Sequence, residues 1–138
     1  MNYRKFRSER FLGHVLSAPI IWLPLIGVLL LDLMVTFYQA VCFPIYGLEK
    51  VKRSDYILVR DRNKLAYLEP IEKIGCMYCG YTNGFLLYAK EIAGRTEKYW
   101  CGIMHEGKPG FKTQESQAKQ DFAKFGDEAE FHKKYDSL

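Results

Sequence analysis

The residues with the clearest chemical potential are four ligand-type side chains, Cys76, Cys79, Cys101 and His105. Cys76-x-x-Cys79 followed by Gly80 has the form of a metal knuckle. Two thiolates at that spacing can grip one ion when a tight turn aims them together, and glycine admits the left-handed backbone such turns often need. Cys101 and His105 stand four apart, so on a helical turn they share a face and can complete the set. Three sulfurs and one imidazole make a standard structural zinc site. The spacing therefore predicts Zn2+ held by Cys76, Cys79, Cys101 and His105, with iron on the same ligands as the alternative.

Two other readings of these cysteines stay open. Cys76 and Cys79 can be a dithiol–disulfide pair, although the thioredoxin-type motif opens a helix after a strand, and here Gly80-Tyr81-Thr82-Asn83 intervenes. They can also be buried or unpaired thiols. Cys42 lies in an apolar segment and reads as a packing residue, or as a reserve ligand in place of His105. No catalytic set emerges. Glu91, Arg95, Glu97 and the tyrosines could line a site, but their spacing fits a salt-bridged helix equally well. The chain contains no Gly-rich phosphate loop, no Ser–His–Asp signature and no paired-carboxylate motif.

These residues must be carried by something, and the dominant element is apolar. Between Phe11 and Leu48 the only formally charged side chain is Asp32. The run is too long for one straight bilayer crossing, which needs about 20 residues, and short for two. A signal peptide fits poorly, because its apolar core would be about 7–15 residues long and would end at a cleavage site. Two membrane arrangements are expected: a helical hairpin turning near Asp32, or a single tilted span that continues along the interface. A buried core helix of a soluble protein fits the length least.

Charge favours the hairpin. Arg4, Lys5, Arg7 and Arg10 precede the run, and Lys50, Lys52 and Arg53 follow it, with Arg60, Arg62 and Lys64 just beyond. Lys and Arg beside membrane segments prefer the cytoplasmic side, so both ends ask for the same compartment. A hairpin also moves Asp32 away from the bilayer centre, where a carboxylate costs about 2.5–3.5 kcal/mol. Pro19, Pro24 and Pro44 would bend the arms. Asp32 and His14 read as a turn or interface residue and a headgroup residue, more than as a buried proton-carrying pair.

The chain has 138 residues, a formal net charge of +4 and 15% aromatic content. Beyond the apolar run, bases and acids nearly balance and are interleaved. That excludes the concentrated basic face of a nucleic-acid binder and fits bases serving as membrane-surface anchors. Four regions follow: a basic flank over 1–10, a membrane segment over 11–48, a Cys/His metal-binding domain over 49–107 and a polar helical tail over 108–138. Asp55-Tyr56-Ile57-Leu58-Val59 reads as a short strand. Leu65, Leu68, Ile71 and Ile74 predict a helix that Asp61 caps and Pro70 kinks. Asn83 opens the next helix, with Phe85, Tyr88, Ile92 and Tyr99 on one face and Glu91–Arg95 as an i,i+4 pair. Phe122, Phe125, Phe131 and Tyr135 place one or two short helices around Gly126. The expected fold class is mainly α, a membrane hairpin or single span followed by a small α-rich metal-knuckle domain.

The stretches SDYILVRDRNKLAYLEPIEKIGCMYCGYTNG and EIAGRTEKYWCGIMH resemble an uncharacterised family of small bacterial membrane proteins. Its signature is CxYCGYxNG…EIAxRTExYWCxIxH after an N-terminal hydrophobic segment. The resemblance covers the middle of the chain, and its pattern includes Cys76, Cys79, Cys101 and His105. Proline is expected after the third cysteine in relatives, where this chain has Gly102. The resemblance implies a bacterial inner-membrane setting and no particular activity. The sequence therefore leads to the expectation of a membrane-anchored accessory or assembly protein with a structural zinc site in a cytoplasmic domain. Its partners would be the lipid bilayer and a membrane protein or a second copy. The alternative is a membrane-bound redox protein that uses the same cysteines.

Overall fold

The computed structural model describes residues 9–136. Arg4, Lys5 and Arg7 of the basic flank lie outside the described residues. The apolar run is one uninterrupted helix, α1, Phe11–Tyr46, of 36 residues, or about 54 Å at 1.5 Å per residue. The expected hairpin is not formed. Asp32 stands mid-helix between Leu31 and Leu33, with no glycine or proline beside it to turn the chain. Pro19, Pro24 and Pro44 are all accommodated inside the helix. The helix stops at Gly47, whose φ of 69° is left-handed and whose N–H reaches the Pro44 carbonyl.

Residues 47–69 run back along α1. They hold two short 3₁₀ turns, Arg53–Asp55 and Asp61–Lys64, where a strand and a helix start were expected. The expected strand has no partner: among the described residues the only β-pairing is an isolated bridge between Ile103 and Ala123. The second long helix, α2, spans Pro70–Trp100. Pro70 opens it at the first helical position, where its missing N–H costs nothing. Glu72 accepts the Glu69 N–H at 2.9 Å, which closes a capping box. Asn83 does not begin a helix. It sits inside α2 and donates to the Cys79 carbonyl at 2.9 Å.

Because the connection runs the length of the body, α1 and α2 lie side by side in the same direction. Tyr78 donates to the Ile21 carbonyl at 2.9 Å and its ring stands 5.0 Å from Trp22. At the other end, Tyr46 stacks on Tyr99 at 4.7 Å. The returning segment fills the groove between them, with Val51 on Gln39, Arg53 on Asp32 and Leu58 over Gly80. Two α2 glycines admit it. A Cβ at Gly80 would stand 2.7 Å from the Leu58 carbonyl oxygen, and one at Gly84 would stand 2.5 Å from that of Tyr56. Gly80 therefore serves close approach inside a helix, not the left-handed turn its place after Cys79 suggested. The core gathers here: Phe43, Val51, Phe85, Tyr88 and Ile92 are buried, with Val28, Val35 and Ile57 against them.

The tail folds back onto the end of α2. Two short helices, α3 Glu115–Lys119 and α4 Glu128–Tyr135, flank Gly126. The Ala123 N–H donates to Gly102 and its carbonyl receives Met104, both at 2.8 Å. Ser116 packs where α2 has only the hydrogen of Gly94. Phe122 is buried, whereas Phe125 is exposed.

Candidate functional site

The expected metal ligands separate into two groups. Cys76 and Cys79 lie one turn apart in the first half of α2, and Cys101 is its C-cap residue. Because α2 is continuous, Cys79 and Cys101 are about 33 Å apart along its axis. The four side chains are therefore not brought around a single ion within one chain. His105 instead approaches Glu97, with Nε2 3.5 Å from Oε1, and its side chain is more than half exposed. Cys42 lies one turn before Tyr46, whose ring meets Tyr99 and Trp100 just ahead of Cys101. Among the described residues no group of three or more His, Cys, Asp or Glu is placed to hold a metal ion, and all four cysteines are free thiols.

The structure assembles a different cluster, centred on Asp32. Its residue exposure is 8%. Arg53 from the returning segment donates from both terminal guanidinium nitrogens, Nη1 and Nη2, to the two carboxylate oxygens, each at 2.5 Å. The Tyr81 hydroxyl donates to Oδ2 at 2.6 Å, and Thr36 donates to Oδ1 at 3.1 Å. The guanidinium also lies over the Tyr88 ring, 5.7 Å from its centroid. Four donors thus converge on one carboxylate, the arrangement a buried charge requires. The hydrogen bonds to Asp32 hold the Arg53 guanidinium above its usual pKa. Burial, with the hydrogen bond to Asp32 as the second cause, raises that of the Tyr81 phenol.

Two turns along α1, Gln39 makes a second node. Its side-chain oxygen accepts the Val51 N–H at 2.8 Å, and its nitrogen donates to the Tyr88 hydroxyl at 2.9 Å and to the Val51 carbonyl at 3.4 Å. Each side-chain group thus finds a partner in an interior position, 6% exposed. Further along, the Tyr38 and Thr96 hydroxyls meet at 3.0 Å. These contacts form a polar seam joining α1, the returning segment and α2. None of the buried side-chain nitrogens and oxygens in it is left without a partner, so its chemistry is that of a clasp.

Sequence reasoning reached Asp32 but not its partners. It treated Asp32 as a charge to be moved out of the bilayer and Arg53 as a flank base. The available signal was the spacing of Asp32, Gln39 and Tyr46, seven apart in an otherwise apolar run, which marks one face of a helix. The Glu91–Arg95 pair forms as the spacing predicts, at 2.9 Å. Beside it a cleft of about 250 Å3 is lined by Tyr56, Lys90, Glu91, Glu115 and Lys119 among others, and its charges are mixed.

Comparison with protein-family models, curated proteins and solved structures returns no match. At Gly102 the backbone φ is 60°, a conformation closed to proline, whose ring locks φ near −65°. Whatever relatives carry at this position, the turn formed here requires glycine.

Proposed function

We propose that the protein is a membrane-anchored accessory or assembly module, not an enzyme, held on the cytoplasmic face of a bacterial inner membrane. The observation that carries this reading is the surface of α1. Only 6% of its most apolar 18-residue window is buried inside the fold. Phe11, Leu16, Leu23, Leu30, Phe37 and Ile45 are each between 60% and 73% exposed. A soluble protein rarely leaves so long an apolar face in water, and a lipid phase or a membrane partner accounts for it. The bases on both flanks of α1 favour the cytoplasmic side.

Membrane fractionation and gentle-detergent purification test the reading. The chain is expected in the membrane fraction, resistant to salt extraction, and to co-purify with a membrane protein or a second copy of itself. Recovery as a lone monomer would remove the assembly part of the proposal. Recovery in the soluble fraction would remove the anchor.

A second reading rests on Cys76 and Cys79. Residues one helical turn apart fall within the Cα separation that a disulfide spans, about 4.4–6.8 Å. They can act as a dithiol, or as two ligands of a zinc or iron ion whose remaining ligands come from another chain. Metal analysis and thiol counting on purified protein separate these: bound metal, an oxidisable pair, or neither.

A further inference from the structure

The two-helix body constrains how α1 can meet a bilayer. Its polar residues share one side. At 100° per residue, His14 and Asp32 are five full turns apart and coincide, and Gln39, Thr36 and Ser17 fall within about 60° of them. The body packs on that sector through Asp32, Gln39 and Phe43. The opposite sector is an unbroken apolar ridge, with Leu12 70%, Leu23 64%, Leu30 60%, Phe37 69% and Ile45 73% exposed. From Leu12 to Ile45 it runs about 50 Å, well beyond the roughly 30 Å of a hydrocarbon core.

Charges accompany α1 on the body side for most of its length. Asn63 contacts Met77 at 3.3 Å and Tyr78 touches Ile21, which puts the exposed Arg60, Arg62 and Lys64 beside the Ile21–Trp22 level. Arg53 stands at Asp32. Arg95 donates to the Glu49 carbonyl at 2.8 Å, near the end of the helix. Only residues 11–20 precede the first of these levels, about 15 Å of helix and half a bilayer core. Any perpendicular crossing therefore draws several charges of the body into hydrocarbon, each at a substantial cost. A helix lying in the interface draws in none, because the ridge faces the acyl chains and the charged body faces water.

We propose that α1 lies in the membrane plane along its whole length, inserted into one leaflet by the Leu12–Ile45 ridge, and that the protein is monotopic. The occupant of the ridge is the lipid surface itself. Both termini then face the same compartment, which satisfies the bases on both flanks of α1 without a hairpin. This inference rests on the membrane-anchored reading above and specifies its geometry.

The test uses the full chain in vesicles of phosphatidylethanolamine and phosphatidylglycerol. Single spin labels are placed on the exposed ridge at Leu16, Leu30 and Ile45 in a background lacking the native cysteines, and immersion depth is measured by collision with oxygen and with a polar relaxant. The expected result is a similar shallow depth at all three positions. A profile in which Leu30 is deep while Leu16 and Ile45 lie near opposite surfaces would overturn the in-plane geometry and leave the membrane anchor standing. Labels that remain water-accessible, with protein that does not float with the vesicles, would overturn both. Tags at the two ends add an independent measurement: protection of one tag and cleavage of the other in sealed vesicles would also overturn the proposal. Unlabelled cysteine-free protein with an unchanged circular dichroism spectrum establishes that the background folds.

Discussion

The carboxylate of Asp32 in the middle of α1 receives the Arg53 guanidinium through two parallel hydrogen bonds of 2.5 Å, across 21 residues of sequence. This pair ties the returning segment to the long helix, and Tyr81 ties α2 to the same oxygen. Truncating Arg53 leaves a buried carboxylate with only hydroxyl donors. Breaking a fully buried pair costs about 3–5 kcal/mol. Since the Arg53 side chain is 42% exposed, solvent screening reduces the expected loss to about 1–3 kcal/mol for Arg53→Ala. Asp32→Asn should cost less, and the double variant Asp32→Asn/Arg53→Ala should lose less than the sum of the two single losses. Thermal unfolding of the four proteins in one detergent completes the cycle. Additive losses would show that the pair is not coupled.

Gly84 and Gly75 make a matched contrast within α2. A Cβ at Gly84 meets the Tyr56 carbonyl at 2.5 Å and the Ile57 Cα at 2.9 Å, whereas one at Gly75 meets nothing within 4 Å. Gly84→Ala should therefore destabilise by about 1–3 kcal/mol through overpacking. Gly75→Ala should stabilise by up to about 1 kcal/mol through helix propensity. Denaturant midpoints read both, and equal effects of the same sign would contradict the close approach at Gly84.

Gln39→Leu should cost about 1–3 kcal/mol, because it strands the Val51 N–H and the Tyr88 hydroxyl in an interior site. The Val51 amide should lose protection in hydrogen exchange more than amides in the tail. Uniform loss across the chain would mean that Gln39 stabilises the fold without holding the returning segment.

Gly102→Ala should release the tail from α2. The new Cβ would fall 1.9 Å from the Tyr135 hydroxyl oxygen at a φ of 60°. Adding Tyr135→Ala relieves the collision but leaves the left-handed backbone, which costs about 1–2 kcal/mol for an L-residue. Limited proteolysis after Gly102 should be fastest in the single variant and intermediate in the double. Equal rates would place the whole cost in the backbone.

His132 carries a pH dependence. Its pKa is raised by Asp136 first and Glu128 second, on successive turns of α4. A raised folded value means that the contribution is fully present below the unfolded value, about 6.5, and is lost as pH rises through the folded one. Amide exchange in α4 should therefore quicken as pH rises through that window, beyond the intrinsic rate, and the change should vanish in His132→Ala. The side chain lies at the surface, so added salt should shrink the effect.

The sequence alone determined the elements whose cause is local. An apolar run with a single charge is legible as helix, although not as one helix or two, and the i,i+4 spacing of Glu91 and Arg95 is legible as a pair that forms once the segment is helical. One or two short helices around Gly126 are legible in the tail, and two form, Glu115–Lys119 and Glu128–Tyr135. What the sequence left undetermined depends on which segments meet. CxxC and Gly80 look alike in a knuckle and in a helix, and only the passage of the Leu58 and Tyr56 backbone over Gly80 and Gly84 explains why glycine stands there. Asp32 looked like a charge to be expelled at a turn, because nothing local could neutralise it. The returning segment supplies Arg53, and with that charge paired α1 has no reason to bend. The same continuity in α2 draws Cys79 and Cys101 apart. A helix has a fixed rise, so a ligand set that spacing alone allows is opened by the straightness of the element that carries it.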